Sequence, residues 1–98
     1  MSGRAEKAEL LYHEKKYFDD GSFREIKIWG VPQSPDKPHG YKYSFVYIVN
    51  DQRVIGYDNA EGRGDHRHYG GKEHPYKFQS LEKLWQDFGN DVVKWRKG

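Results

Sequence analysis

An Asp20-Gly21 dipeptide between two runs of alternating residues most strongly limits how this chain can fold. Such a dipeptide favours a two-residue type I′ turn, because both central positions of that turn need positive φ. Residues 11–30 are therefore predicted to form a β-hairpin. Its register gives the cross-strand pairs Phe18 with Phe23, Lys16 with Glu25, Glu14 with Lys27 and Tyr12 with Trp29. On the opposite face, which we expect to turn to the core, lie Leu11, Tyr17, Ile26 and Ile28.

Two further elements are predicted after this hairpin. Residues 41–58 read as a second hairpin, because a run dense in aromatic and β-branched residues precedes a shorter one. Residues 80–96 read as a helix, with Ser80 as N-cap and apolar residues at helical spacing. We expect this helix to pack on the aliphatic face of the sheet, which carries Val46 and Ile48. The expected fold class is α+β: an antiparallel sheet of about four strands with a C-terminal helix on one face.

Composition narrows the class of protein. The 98 residues suffice for a single domain, and the lack of cysteine excludes disulfides and thiolate metal sites. Aromatic residues make up 16% of the chain, which argues against disorder. The net charge of +2 is too small to indicate nucleic-acid binding by itself. No stretch approaches the roughly 20 apolar residues of a membrane helix, so we expect no membrane association and a cytoplasmic protein.

Residues 59–77 are predicted to form a long loop rich in glycine, histidine and charge. A loop of this length in a small domain is usually functional or disordered. The segment contains the triplet His66-Arg67-His68, preceded by Gly64 and followed by Gly70. If residues 65–69 are extended, His66 and His68 project to one side and Arg67 to the other.

The triplet suggests acid–base chemistry on RNA. Two adjacent imidazoles can divide the work of general base and general acid near neutral pH, as transesterification at a ribose 2′-hydroxyl requires. The predicted catalytic residues are His66 and His68 for proton transfer, Arg67 for phosphate binding and Asp58 for orienting a histidine. The candidate residues for binding RNA are Arg63, Lys72, Tyr41, Tyr43 and Tyr57, the tyrosines as stacking surfaces for unpaired bases.

Other interpretations of the same residues stay open. The His-x-His pair can be a polar, exposed strand end, and the domain can be a non-catalytic module that binds nucleic acid or protein. A metal-dependent nuclease is a further alternative, because donors suited to zinc or manganese are present in Asp58, Asp65, His66 and His68. Their spacing matches no strong metal-binding signature, so we expect no cofactor.

Several motifs resemble one family of small prokaryotic proteins. They include Val54-Ile55-Gly56-Tyr57-Asp58-Asn59, Gly64-Asp65-His66-Arg67-His68 and the segment 39–44. The family is the TumE-type toxins of type II toxin–antitoxin modules, and the resemblance runs from about residue 9 to 95. It implies a cytosolic toxin neutralised by a separately encoded antitoxin, with an RNA-directed activity. Relatives are expected to carry an acidic residue where this chain has His74, so His74 is given no catalytic role.

Overall fold

The computed structural model describes residues 8–60 and 64–98, which form one antiparallel sheet and one helix. The strands are β1 (Glu9–Tyr17), β2 (Phe23–Gly30), β3 (Tyr41–Val49), β4 (Gln52–Asp58), β5 (His66–Tyr69) and β6 (Lys72–Pro75), and helix α1 (Leu81–Lys97) follows. Strand order in the sheet is the order along the chain, and every neighbouring pair is antiparallel. The described residues contain no helix long and apolar enough to cross a membrane.

The α+β class with an antiparallel sheet and a C-terminal helix is confirmed, but the sheet has six strands and not about four. The additional pair, β5 and β6, lies within the predicted loop 59–77. Gly70 and Gly71 connect these strands, and Gly70 has a φ of +64°. Its amide also donates to the Val54 carbonyl at 2.8 Å, which ties the turn to β4.

The predicted register of the first hairpin is wrong by one residue. The Gly21 amide donates to the Phe18 carbonyl at 3.1 Å, and the Phe18 amide donates to the Ser22 carbonyl at 2.8 Å. With Gly21 at a φ of +87°, the loop has three residues, not two. The Asp20 carboxylate holds this turn by accepting from the Ser22 amide at 2.9 Å. Tyr17 consequently faces Phe23, where the two-residue turn would have placed Phe18.

The core lies between α1 and the aromatic face of the sheet, so the prediction that α1 covers the aliphatic face is wrong. The buried side chains of this core are Ile26, Ile28, Tyr43, Phe45, Tyr47, Ile55, Tyr57, Leu84, Phe88 and Val92. Phe45 packs edge-on against Trp85 and Phe88, with ring centroids 5.4 and 5.5 Å apart. Tyrosines can be buried here because their hydroxyls find partners; Tyr57, for example, donates to Asp91.

Two residues expected in the core are exposed. Ile26 and Ile28 are buried as predicted, but Tyr17 is 61% and Leu11 51% exposed. Both lie on β1, an edge strand of the sheet, and the shift of register turns Tyr17 toward Phe23. The helix itself begins and ends close to the prediction. The Ser80 hydroxyl caps its first turn by accepting from the Lys83 amide at 3.0 Å.

The second face of the sheet is called the open face below, because α1, the only helix of the described residues, packs on the other side. Residues directly opposite each other in an antiparallel pair point to the same side of a sheet. The residues assigned in this way to the open face include His13, Lys15, Tyr17, Phe23, Glu25, Lys27, Trp29, Lys42, Ser44, Val46, Ile48, Gly56, Asp58, His66, His68, Glu73 and Pro75.

Candidate active site

Two histidines and one aspartate meet on the open face where β4 lies beside β5. Asp58 is the cross-strand partner of His66, and Gly56 is the partner of His68. The Nε2 atom of His66 lies 3.4 Å from Asp58 Oδ1, and that of His68 lies 3.6 Å from Oδ2. The two rings are 5.8 Å apart between centroids. Both histidines therefore project to one side, as expected for an extended segment.

An arginine that the sequence did not suggest lies beside this carboxylate. Arg53 Nη1 is 3.9 Å from Asp58 Oδ2. The β3–β4 register shifts between Tyr47 and Ile48: Tyr47 pairs with Ile55, but Ile48 pairs with Arg53. Arg53 therefore lies on the open face near Gly56. A Cβ at Gly56 would lie only 2.9 Å from Arg53 Cδ, so the missing side chain makes room for the arginine stem.

A hollow in the surface gives a ligand access to His66. Its volume is about 270 Å³, and its lining consists of Asp65, His66, Glu73, His74 and Pro75. His66 itself is only 5% exposed, and its Nε2 lies 3.6 Å from Glu73 Oε2. The imidazole thus lies between two carboxylates, those of Asp58 and Glu73.

The electrostatics of His68 favour a neutral ring. Burial lowers the pKa of this imidazole below its ordinary value, and the nearby Arg53 guanidinium lowers the pKa further. Asp58 and Glu73 oppose the shift without cancelling it. At neutral pH His68 is therefore suited to accept a proton.

Arg67 is not part of this cluster, because the structure places it on the other face of the sheet from the two histidines. Alternation along β5 turns it to the helix side, where its guanidinium binds the buried Asp91 in two hydrogen bonds of 2.7 and 3.0 Å. Its Nε also donates to the Tyr57 hydroxyl at 3.0 Å. These hydrogen bonds, which also raise the pKa of Arg67, indicate a structural role for this side chain.

The three tyrosines predicted to stack on bases also lie on the helix side of the sheet. Tyr43 is 0% and Tyr57 2% exposed, so neither ring has a face for a base. Tyr41 is partly buried and packs against the core on the helix side. Lys72 lies opposite Tyr69 and so shares the helix side of the sheet, away from the histidines. Arg63 lies outside the described residues.

The Asp65 carboxylate forms hydrogen bonds that stabilise the segment preceding β5. Its Oδ2 accepts from the Tyr43 hydroxyl at 2.6 Å and lies 3.1 Å from His39 Nε2. Because His39 Nδ1 accepts from the Tyr41 amide, its Nε2 carries the hydrogen and donates to Asp65. Of the four metal donors considered from sequence, the structure groups Asp58, His66 and His68, with one donor atom of each within 4.8 Å of the others.

Comparison with known proteins identifies the family. The family model described as Toxin TumE matches residues 4–96, which is nearly the whole chain. No curated protein and no solved structure matches the chain. The chain therefore belongs to the TumE toxin family.

Proposed function

We propose that this chain is a ribonuclease toxin that cleaves RNA without a metal ion, with His66, His68 and Asp58 as its catalytic residues. The observation that carries the proposal is the Asp58 carboxylate, placed between the Nε2 atoms of both histidines on a face that α1 leaves open. Proton transfer by two imidazoles suits attack of a ribose 2′-hydroxyl on the adjacent phosphate.

Family membership supplies the biological setting. It indicates the toxin component of a toxin–antitoxin system, with a cognate antitoxin as partner. RNA as the substrate and the cytoplasm as the site of action belong to the proposal.

In the proposed reaction, neutral His68 takes the proton of the 2′-hydroxyl while the oxygen attacks phosphorus. The bond from phosphorus to the 5′-oxygen breaks, and protonated His66 donates its proton to that oxygen. The products are a 2′,3′-cyclic phosphate and a 5′-hydroxyl end. Asp58 orients the two rings and offsets the positive charge that His68 gains.

The distances are compatible with this division of work. The donor atoms of the two histidines lie within 4.8 Å of each other. Two ring nitrogens so placed can both come within about 3 Å of oxygens on one phosphorus, which is hydrogen-bond reach. The two histidines can thus act on the same phosphate.

Arg53 takes the role that the sequence suggested for Arg67. Its guanidinium lies at the edge of the cluster, 3.9 Å from Asp58, and a guanidinium can bind phosphate oxygens in pairs. We assign to it the stabilisation of the negative charge that develops on phosphorus.

The test is RNA cleavage by the purified protein in excess chelator. His66→Ala and His68→Ala are compared with wild type, and His13→Ala is the control, because His13 is an exposed histidine on β1, three strands away from β4. We expect both site variants to lose cleavage and the control to keep it. If both site variants cut like wild type, the assignment is wrong.

One observation favours a second candidate, a metal-dependent nuclease: the grouping of Asp58, His66 and His68 suits a divalent cation of the zinc type. The same assay separates the two. Cleavage that stops in chelator and returns on addition of zinc or manganese would favour the metal-dependent enzyme.

A further inference from the structure

The open face carries a tryptophan with a lysine ammonium over its ring, close to the proposed catalytic cluster. Trp29 on β2 and Lys42 on β3 are cross-strand partners. The Lys42 ammonium lies 5.0 Å from the centroid of the indole. Trp29 is not among the hydrophobic residues packed against the core, and its ring is partly exposed.

Trp29 and Lys42 lie beside a row of cross-strand partners that includes Asp58. The register places His13, Lys27, Ser44, Asp58 and His66 opposite one another on five successive strands. Lys27 is two strands from Asp58, which corresponds to about 10 Å at the usual strand spacing. Lys42 lies two residues from Ser44 on β3, the strand next to that of Asp58, so Lys42 is closer to Asp58 than Lys27 is.

We propose that Trp29, Lys27 and Lys42 form a binding subsite for single-stranded RNA on the open face. An unpaired base stacks on the Trp29 indole, displacing the Lys42 ammonium to a neighbouring phosphate, and Lys27 contacts the backbone between this subsite and Asp58. Lys27 lies about 10 Å from Asp58, which places the stacked base one or two nucleotides from the reacting phosphate. This placement rests on the proposed function.

Charge and shape favour a single strand over a duplex. The lysines of the subsite complement a polyanion, and an aromatic ring on a sheet offers a base a stacking surface. In a double helix the bases are already stacked on each other, and their faces are out of reach. A single strand can unstack and place one base on Trp29.

The experiment measures binding separately from cleavage. A fluorescently labelled single-stranded 2′-O-methyl oligonucleotide lacks the attacking hydroxyl, so it binds without being cut. Its affinity for the full chain is measured by anisotropy and compared with that of the same sequence as a duplex. Trp29→Ala is matched with Tyr12→Ala, an exposed aromatic residue on the helix side, and Lys27→Ala with Lys83→Ala, an exposed lysine of α1.

We expect the single strand to bind at least about tenfold more tightly than the duplex, and Trp29→Ala to weaken it about tenfold. Lys27→Ala should weaken binding and reduce its salt dependence, and neither control should change either. Equal binding of duplex and single strand, or unchanged binding by Trp29→Ala, would overturn the subsite. Binding that follows this pattern in a protein that cuts no RNA would uphold the subsite and refute the proposed chemistry.

Discussion

The two faces of the sheet carry charged clusters of similar composition in opposite surroundings. On the helix side, Arg67 and Tyr57 bind Asp91 in hydrogen bonds of 2.6 to 3.0 Å beneath α1. On the open face, Asp58 lies 3.4 and 3.6 Å from the two histidines. The contacts of the first cluster have ordinary hydrogen-bond lengths, whereas the contacts between Asp58 and the two imidazoles of the second cluster are longer. Covering by α1 thus separates a structural cluster from a candidate catalytic one, although β5 contributes to both.

The largest expected effect is on the open face. His68→Ala should lower the rate of RNA cleavage by about 10²- to 10⁴-fold, the usual contribution of a positioned acid or base. The unfolding free energy should change little, because His68 lies on the open face, on the other side of the sheet from the core beneath α1. Cleavage kinetics and urea unfolding of the same preparation measure both. A large loss of stability in this variant would remove the contrast between the faces.

The helix side should respond in the opposite way. Asp91→Ala leaves the Arg67 guanidinium without its carboxylate, and this should cost about 2 kcal/mol of unfolding free energy, less than for a fully buried pair because Arg67 is partly exposed. Cleavage by the folded protein should persist. Urea unfolding is the measurement, and Lys83→Ala, which breaks an exposed ion pair of α1, is the control. Loss of cleavage without loss of stability would contradict the structural role.

Arg53→Gln and Gly56→Ala should each lower cleavage about tenfold, because both remove the guanidinium from its place beside Asp58. Alanine at residue 56 acts indirectly, through the 2.9 Å approach of its Cβ to Arg53 Cδ. If Gly56→Ala cleaves like wild type while Arg53→Gln does not, the arginine reaches phosphate from another position. Steady-state cleavage rates decide between these outcomes.

The smallest expected effect is a shift in pH dependence. The pKa of His68 is lowered by burial and by Arg53, so cleavage should rise with pH as His68 loses its proton, at a pH below the ordinary imidazole range. Arg53→Gln removes a positive charge that disfavours protonation. The rising limb of kcat/KM against pH should therefore move to higher pH in this variant. A limb that stays in place would show that Arg53 does not act on His68.

The elements that could be predicted from the sequence are those with local signals. Ser80 and the apolar spacing after it predicted α1, and extended geometry predicted that His66 and His68 share a side. The Gly70-Gly71 dipeptide is a turn signal of the same kind and could have revealed β5 and β6. The first hairpin shows the limit of such local prediction, because Asp20-Gly21 suits both a two-residue and a three-residue turn. The hydrogen bond from the Ser22 amide to the Asp20 carboxylate favours the three-residue turn.

The candidate site depended on contacts between distant segments, which a sequence pattern does not carry. Arg53 reaches Asp58 where the β3–β4 register is irregular, and no motif indicates this. The sequence did contain a sign that Arg67 pairs with a carboxylate of α1. Asp91 follows Phe88 by three residues and so lies within the apolar stripe of the helix. A carboxylate in such a position needs a cation from another element, because an unpaired buried charge is costly.

The most direct test of the central claim is the chemistry of the cut ends. Single-stranded RNA is cleaved by the wild-type protein in excess chelator, and the termini are determined by mass spectrometry. Transesterification by His68 and His66 predicts 2′,3′-cyclic phosphate and 5′-hydroxyl ends. Ends with a 5′-phosphate and a 3′-hydroxyl would require water as the nucleophile and would contradict the account.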